Sequence, residues 1–385
     1  MICQTFTASE ACPIPANGLR YLCPMQPGKI LRLALFLSLL LMATGIFIAS
    51  GWHNWIEINY SNRFYPPLAR FLRFILGWIP FSIGDLLYAG VLLYIVRELG
   101  LFLRNIIRNN MNRTALLLPL YKAGLTILFV YVYFYLFWGL NYYRQGIAHQ
   151  LALENAKATP AELHQLACDL AGRATVTKII SLGRKDTVMS YRRLLQQAPY
   201  AYRQIERRFP FLKYREPSLK ASLFGKLGNY VGFQGYYNPF TGEAQLNVRV
   251  PAIEQPFVLC HELAHQLGYA SESEANFVGF LAASKSTDTL MQYSAYLNMF
   301  MYAWGKLYYT DTVQARQLIQ ELHPAVRNDI RMIRDFNRKY QGWLQQLTAW
   351  VYDFYLRQNR QQKGIDSYGE VTGWLIAFQR KYGTL

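Results

Sequence analysis

Charge is scarce in this chain. Only 16% of its 385 residues are Asp, Glu, Lys or Arg, against about 25% in ordinary soluble domains. That deficit argues against a wholly solvated protein and points to a membrane portion. Acidic residues are the scarcer class, 23 against 40 basic ones, for a formal net charge of +17. No basic–aromatic repeat or binding motif accompanies the excess, so nucleic acid is not expected as a partner. The charge is read as positive loops beside a lipid bilayer plus ordinary basic surface. Cysteine is also sparse. Cys3, Cys12, Cys23, Cys168 and Cys260 are odd in number and form no C-x-x-C, which excludes a cysteine zinc site and a disulfide scaffold. Cys23 has no apolar run before it, which argues against a lipid-anchored secreted form. No internal repeat stands out.

Apolar residues, by contrast, make up 52% of the chain and aromatics 16%. Residues 1–28, with Pro13, Pro15, Pro24 and Pro27, are expected to be disordered or to lie upstream of the true start. Residues 29–144 read as a transmembrane region with spans at about 30–51, 74–96 and 115–140, each near the roughly 20 residues a bilayer requires. The first is long for a signal-peptide core and is read as uncleaved. Trp55, Tyr60, Phe64 and Tyr65 suit an interface. Pro80 and Asp85 interrupt the second span. They predict either a capped break in the helix or a polar contact at a domain interface. Arg97, Arg104, Arg108, Arg113 and Lys122 surround the most basic short connection. The positive-inside rule puts that loop in the cytoplasm and everything after Arg144 on the outer face. Arg63, Arg70 and Arg73 blur the asymmetry.

One stretch names a chemistry: Cys260-His261-Glu262-Leu263-Ala264-His265-Gln266-Leu267-Gly268. On a helix, His261 and His265 at i and i+4 leave the same face one turn apart, so both rings can reach one Zn²⁺ at roughly 2.0–2.1 Å. Glu262 stands beside the first ligand, where a carboxylate can take a proton from water. Cys260 points to another face. A third ligand is needed, and none of His53, His149, His164 and His323 follows the motif closely. A carboxylate is therefore favoured. Gly268 ends the first helix, and Ser271 or Ser273 can cap a second one containing Glu272 and Glu274. Glu272 is preferred, because Asn276 then lies one turn later and can orient a ligating histidine. Glu274 is the alternative. Three fixed positions also recur on ordinary helices by chance. The E-x-E-A-N helix that follows favours the metal reading.

H-E-L-A-H followed by E-S-E-A-N-F resembles the gluzincin metallopeptidases, whose ligand glutamate lies on a second helix with Asp or Asn four residues on. That resemblance implies ligands at His261, His265 and Glu272, with Asn276 behind them. A closer resemblance covers most of the chain. Ile79-Pro80-Phe81-Ser82-Ile83-Gly84-Asp85, Trp138-Gly139-Leu140-Asn141-Tyr142-Tyr143-Arg144 and Gly235-Tyr236-Tyr237-Asn238-Pro239-Phe240-Thr241-Gly242-Glu243 look like an uncharacterised bacterial membrane family, domain of unknown function 3810. It implies three membrane helices and a zincin-like domain, and no known substrate.

Residues 145–385 read as that domain, mainly α, with a small hairpin or edge strand. Thr159-Pro160-Ala161-Glu162 opens a helix with a capping box. Ala244, Leu246, Val248 and Val250 alternate with polar residues as a period-2 strand, either an edge that pairs with a peptide substrate or half of a core hairpin. Tyr230, Tyr236 and Tyr237 are candidate oxyanion donors. Pro324 opens a long amphipathic stretch to about Gln358, and Lys363 to Gly369 is a loop placed to border the cleft. The function expected is a membrane-anchored zinc metallopeptidase of the bacterial inner membrane, cleaving peptides or proteins on the extracytoplasmic side. Two rivals stand beside it. An intramembrane protease conflicts with the polar residues around the motif, which leave no apolar run near 20 residues. A non-catalytic envelope protein with a structural or vestigial metal is the other.

Overall fold

The computed structural model describes residues 27–108, 113–154, 158–361, 364 and 370–385. The stretch 1–26 and most of the 363–369 loop lie outside the described residues. Among the described residues, three helices are long and apolar enough to cross a membrane. They are α1 (Pro27–Ala49), α3 (Ile83–Ile107) and α4 (Arg113–Phe137), and no more than 11% of the apolar window of any of them is buried. Water would penalise so much exposed hydrocarbon heavily, at about 25 cal/mol per Å², whereas lipid would not. α1 lies against α4, with Leu39, Ile46 and Val132 buried in a small core that they share with Tyr60, Tyr65, Trp138 and Ala270.

The second apolar helix begins at Ile83 and not near residue 74. Residues from Tyr65 to Leu76 form a separate amphipathic helix, α2. Pro80 then stands in the break. Ser82 takes an extended conformation (ψ 113°) and its hydroxyl accepts from Asp85 N at 3.0 Å, which caps α3. A cap and a proline thus override an apolar run that continues through them. Both expectations for Asp85 meet here. It lies in the first turn of α3, and it accepts from Leu223 N (2.6 Å), Ser222 Oγ (3.4 Å) and the Tyr236 hydroxyl, all beyond the apolar helices.

The rest is a helical body around a three-stranded sheet. α5 (Pro160–Gly183) starts with the anticipated capping box at Thr159 and Glu162, and Ser190 caps α6 (Tyr191–Ile205). β1 (Leu219–Ala221), β2 (Gly235–Asn238) and β3 (Glu243–Leu246) follow in the spatial order β1-β3-β2. β3 runs parallel to β1 and antiparallel to β2. The alternating stretch therefore supplies the central strand, not an edge. It stops at Leu246 and is buried on both faces, because Gln245 and Glu243 point into a buried polar network with Ser82. Period-2 alternation marks two kinds of neighbour, and here the second kind is protein rather than water.

α7 (Gln255–Gln266) and α8 (Glu272–Ser284) form the centre, and every residue in both is buried. α9 (Thr289–Thr310) packs along α5 and α7. α10 (Thr312–Glu321), α11 (Pro324–Tyr340), α12 (Trp343–Gln358) and α13 (Val371–Tyr382) complete the fold. The long stretch after Pro324 is two helices, broken by the extended backbone of Gly342 (φ −177°, ψ 179°).

Candidate metal centre

Pro256 fits the first turn of α7, where no N–H is required, and Gly268 (φ +87°) reverses the chain just past its end. A short turn then opens α8 at Glu272. The two helices meet closely at Gly279, where a Cβ would come within 2.9 Å of the His261 amide nitrogen. That approach carries Glu272 over the face that holds both histidines.

His261, His265 and Glu272 each present one donor atom to a common point, all within 4.8 Å of one another. His261 Nε2 lies 3.1 Å from His265 Nε2 and 3.2 Å from Glu272 Oε2; His265 Nε2 lies 3.7 Å from the same oxygen. Three donors at zinc distances in a tetrahedral arrangement sit about 3.3 Å apart. Two imidazoles and one carboxylate are also the right chemistry for such an ion. The His265 tautomer agrees, since Nδ1–H donates to Tyr269 O at 2.7 Å and leaves Nε2 facing the cluster. The Tyr352 hydroxyl donates to Glu272 Oε1 at 2.5 Å, which leaves Oε2 for the same point. Asn276 lies beside His261 and donates to the Tyr302 hydroxyl at 3.4 Å. Glu274, the alternative ligand, instead accepts from Ile147 N at 2.8 Å and is absent from the cluster.

Without a cation, the charges lean on one another. Burial pushes the Glu272 carboxyl up, but His265 and His261 outweigh it and hold the group well below the usual range. Burial depresses His265, yet Glu272 beside it raises the imidazole to about 9. Burial dominates at His261 and lowers it. A metal would displace the proton that His265 shares with Glu272. Glu262 differs from all three. Burial pushes it up to about 8, and its Oε2 is buried with no hydrogen-bond partner among the described residues. An orphaned carboxylate oxygen beside a three-donor cluster is costly unless something else uses it.

The end of α7 is tied to the apolar-helix region. His265 O accepts from Trp138 Nε1 (3.1 Å) and the Tyr65 hydroxyl (3.4 Å). Gln266 O accepts from Tyr65 (3.0 Å) and Arg73 Nη1 (3.1 Å), and Gly268 O from Arg144 Nη1 (3.2 Å). These side chains satisfy carbonyls that any helix terminus leaves open. None of them, nor Tyr352, was foreseen from the motif. They lie 80 to about 200 residues away, and a single tyrosine among 29 carries no local signal. The three tyrosines considered as oxyanion donors have other neighbours. Tyr236 bonds Asp85, Tyr237 meets Tyr65 at 3.4 Å, and Tyr230 packs edge-on to Tyr340.

Residues 60–376 match the family described as "Protein of unknown function (DUF3810)". That span is most of the chain, and the chain belongs to this family. No curated protein and no solved structure matches it.

Proposed function

We propose that this DUF3810 member is a membrane-anchored metallohydrolase with a zincin-like helical domain, and that it cleaves peptide bonds outside the cytoplasm. The observation that carries the reading is the convergence of His261, His265 and Glu272 on one buried point, with the unpartnered Glu262 carboxylate beside it. Zn²⁺ suits the donor set, and when bound there it would supply Lewis acidity that polarises a carbonyl and acidifies water. Glu262 then takes the proton of the attacking water and returns it to the departing amine. Its buried setting keeps its proton affinity near neutrality, which suits both halves of that task. Tyr352 and the Tyr269 carbonyl fix Glu272 and His265 in orientation, so neither must be ordered when a cation arrives.

Peptide is favoured as substrate by β2. This outer strand bonds to β3 on one side only and runs past Glu262, with Gly235 against its Oε1. Asn247 N bonds Gln234 O and Gly242 N bonds Asn238 O. By alternation, the main-chain groups of 235 and 237 then face away from β3. They are available to an extended chain laid alongside. The basic connection around Arg97 to Lys122 supports an orientation with residues 145–385 on the extracytoplasmic face of a bacterial inner membrane.

The test uses the detergent-purified full chain, metal analysis and a peptide library. Wild type should carry zinc and show chelator-sensitive cleavage. Glu262→Gln should keep its metal and lose about 10²–10⁴ in rate. Full activity of metal-loaded Glu262→Gln would refute the mechanism. Bound zinc with no hydrolysis of any peptide would favour a non-catalytic role.

A further inference from the structure

α12 carries a second surface that the proposed reaction does not use. Trp343, Leu347, Trp350, Val351 and Phe354 recur at i, i+4, i+7, i+8 and i+11 and so share one helix face. All five are between 49% and 74% exposed. The opposite face is partly covered by protein. Leu356 is fully enclosed, Tyr352 holds Glu272, and the Tyr355 hydroxyl meets that of Tyr142 at 3.1 Å. A helix with two apolar faces and only one covered by protein has an unfilled partner on the other.

The C-terminal end of α12 is docked on the end of α4: the Tyr355 ring packs edge-on to Phe134, and the Tyr135 hydroxyl donates to Asn359 Oδ1 at 2.9 Å. Tyr135 lies two residues inside the end of α4, about 3 Å of helix rise. On α4 itself Phe129 and Val130 are exposed as well, so both helices of this junction carry apolar surface that no protein covers. Exposed Arg338 and Lys339 end α11 just before Trp343. Two tryptophans, a phenylalanine and flanking cations are the composition that settles at a headgroup–acyl boundary.

We propose that α12 lies in the plane of the bilayer, its Trp343–Phe354 stripe inserted among the lipids at the Phe137 end of α4. One helix then rests on lipid with one face and holds Glu272 through Tyr352 with the other. The candidate metal centre would thus sit at the membrane surface, and the substrate class becomes a polypeptide segment lying at or emerging from the bilayer. This rests on the reading of α1, α3 and α4 as membrane-spanning, so the experiment must separate the two.

The full chain, with its own cysteines replaced by alanine, is reconstituted into phosphatidylethanolamine–phosphatidylglycerol vesicles. Single cysteines replace Trp350 or Phe354, and each carries an environment-sensitive fluorophore quenched by doxyl-labelled lipid. Leu41→Cys on α1 reports the membrane reading itself, and Arg316→Cys on α10 is the exposed polar control. Labels at 350 and 354 should be quenched at least about twofold more than the label at 316. Quenching at 41 but not at 350 or 354 overturns the proposal and leaves the spans intact. No quenching at 41 removes both. Labels at 350 and 354 shielded from an aqueous quencher, yet untouched by doxyl lipid, would mean a protein surface such as a second copy covers the stripe, and would also overturn the proposal.

Discussion

Glu57 and Arg144 offer the most direct test of how the candidate metal centre is held. Both are almost fully buried, and the guanidinium grips the carboxylate with two bonds, Nε to Oε2 at 3.0 Å and Nη2 to Oε1 at 2.9 Å. Glu57 also accepts from Gln145 N, Gln150 Nε2 and Asn62 Nδ2. Arg144 stacks 4.8 Å above Tyr269, whose carbonyl orients His265, and donates to Gly268 O. Glu57→Ala would leave a buried cation and several donors unpaired. Removing one partner of such a pair costs about 3–5 kcal/mol. At about 2–4 °C per kcal/mol for a domain of this size, melting of the full chain in detergent should fall by roughly 6–20 °C. Zinc affinity should fall with it, because the Tyr269 turn loses its support. The double variant Glu57→Leu/Arg144→Met buries no lone charge and should be more stable than either single variant. A Glu57→Ala melting loss of about 3 °C or less, or a double variant no better than Arg144→Met alone, would refute the reasoning.

Three further outcomes follow from the geometry. Glu272→Gln should lose zinc in metal analysis, while Glu274→Gln should keep it, its amide oxygen still accepting from Ile147 N; the reverse result would reassign the third ligand. Gly279→Ala places a methyl against the His261 backbone, at 2.9 Å from its nitrogen. It should cost about 1–3 kcal/mol and reduce zinc content, and unchanged unfolding would show that the two helices can separate freely. Burial raises Glu254 to about 7, opposed by its hydrogen bond from Gln234, so the folded state holds a proton that the unfolded chain releases above about 4.5. Stability associated with this group is complete below pH 4.5 and lost as pH rises through 7, about 3 kcal/mol in all. Urea unfolding of Glu254→Gln should lack that slope, and an unchanged slope would exclude the group.

The sequence alone carried everything that local interactions decide. The spacing of His261 and His265 fixes two rings on one face whatever surrounds the helix. The capping box at Thr159 marks a start that the structure keeps. Three apolar runs announce three long helices. Where the reading slipped, a remote partner had intervened. The second apolar helix starts at Ile83 because Ser82 and Asp85 close a cap that packs against β3 and the Ser222–Leu223 turn. The strand ending at Leu246 is central because β1, more than 20 residues upstream, lies on its other side. Glu272 and Glu274 have nearly the same local context, and only the close packing at Gly279 and the position of Ile147 separate their roles. Periodicity and capping act within a turn or two of chain. The choice among 29 tyrosines of the one that steadies Glu272 needs a shape, since Tyr352 reaches it only after α12 has folded back across 80 residues.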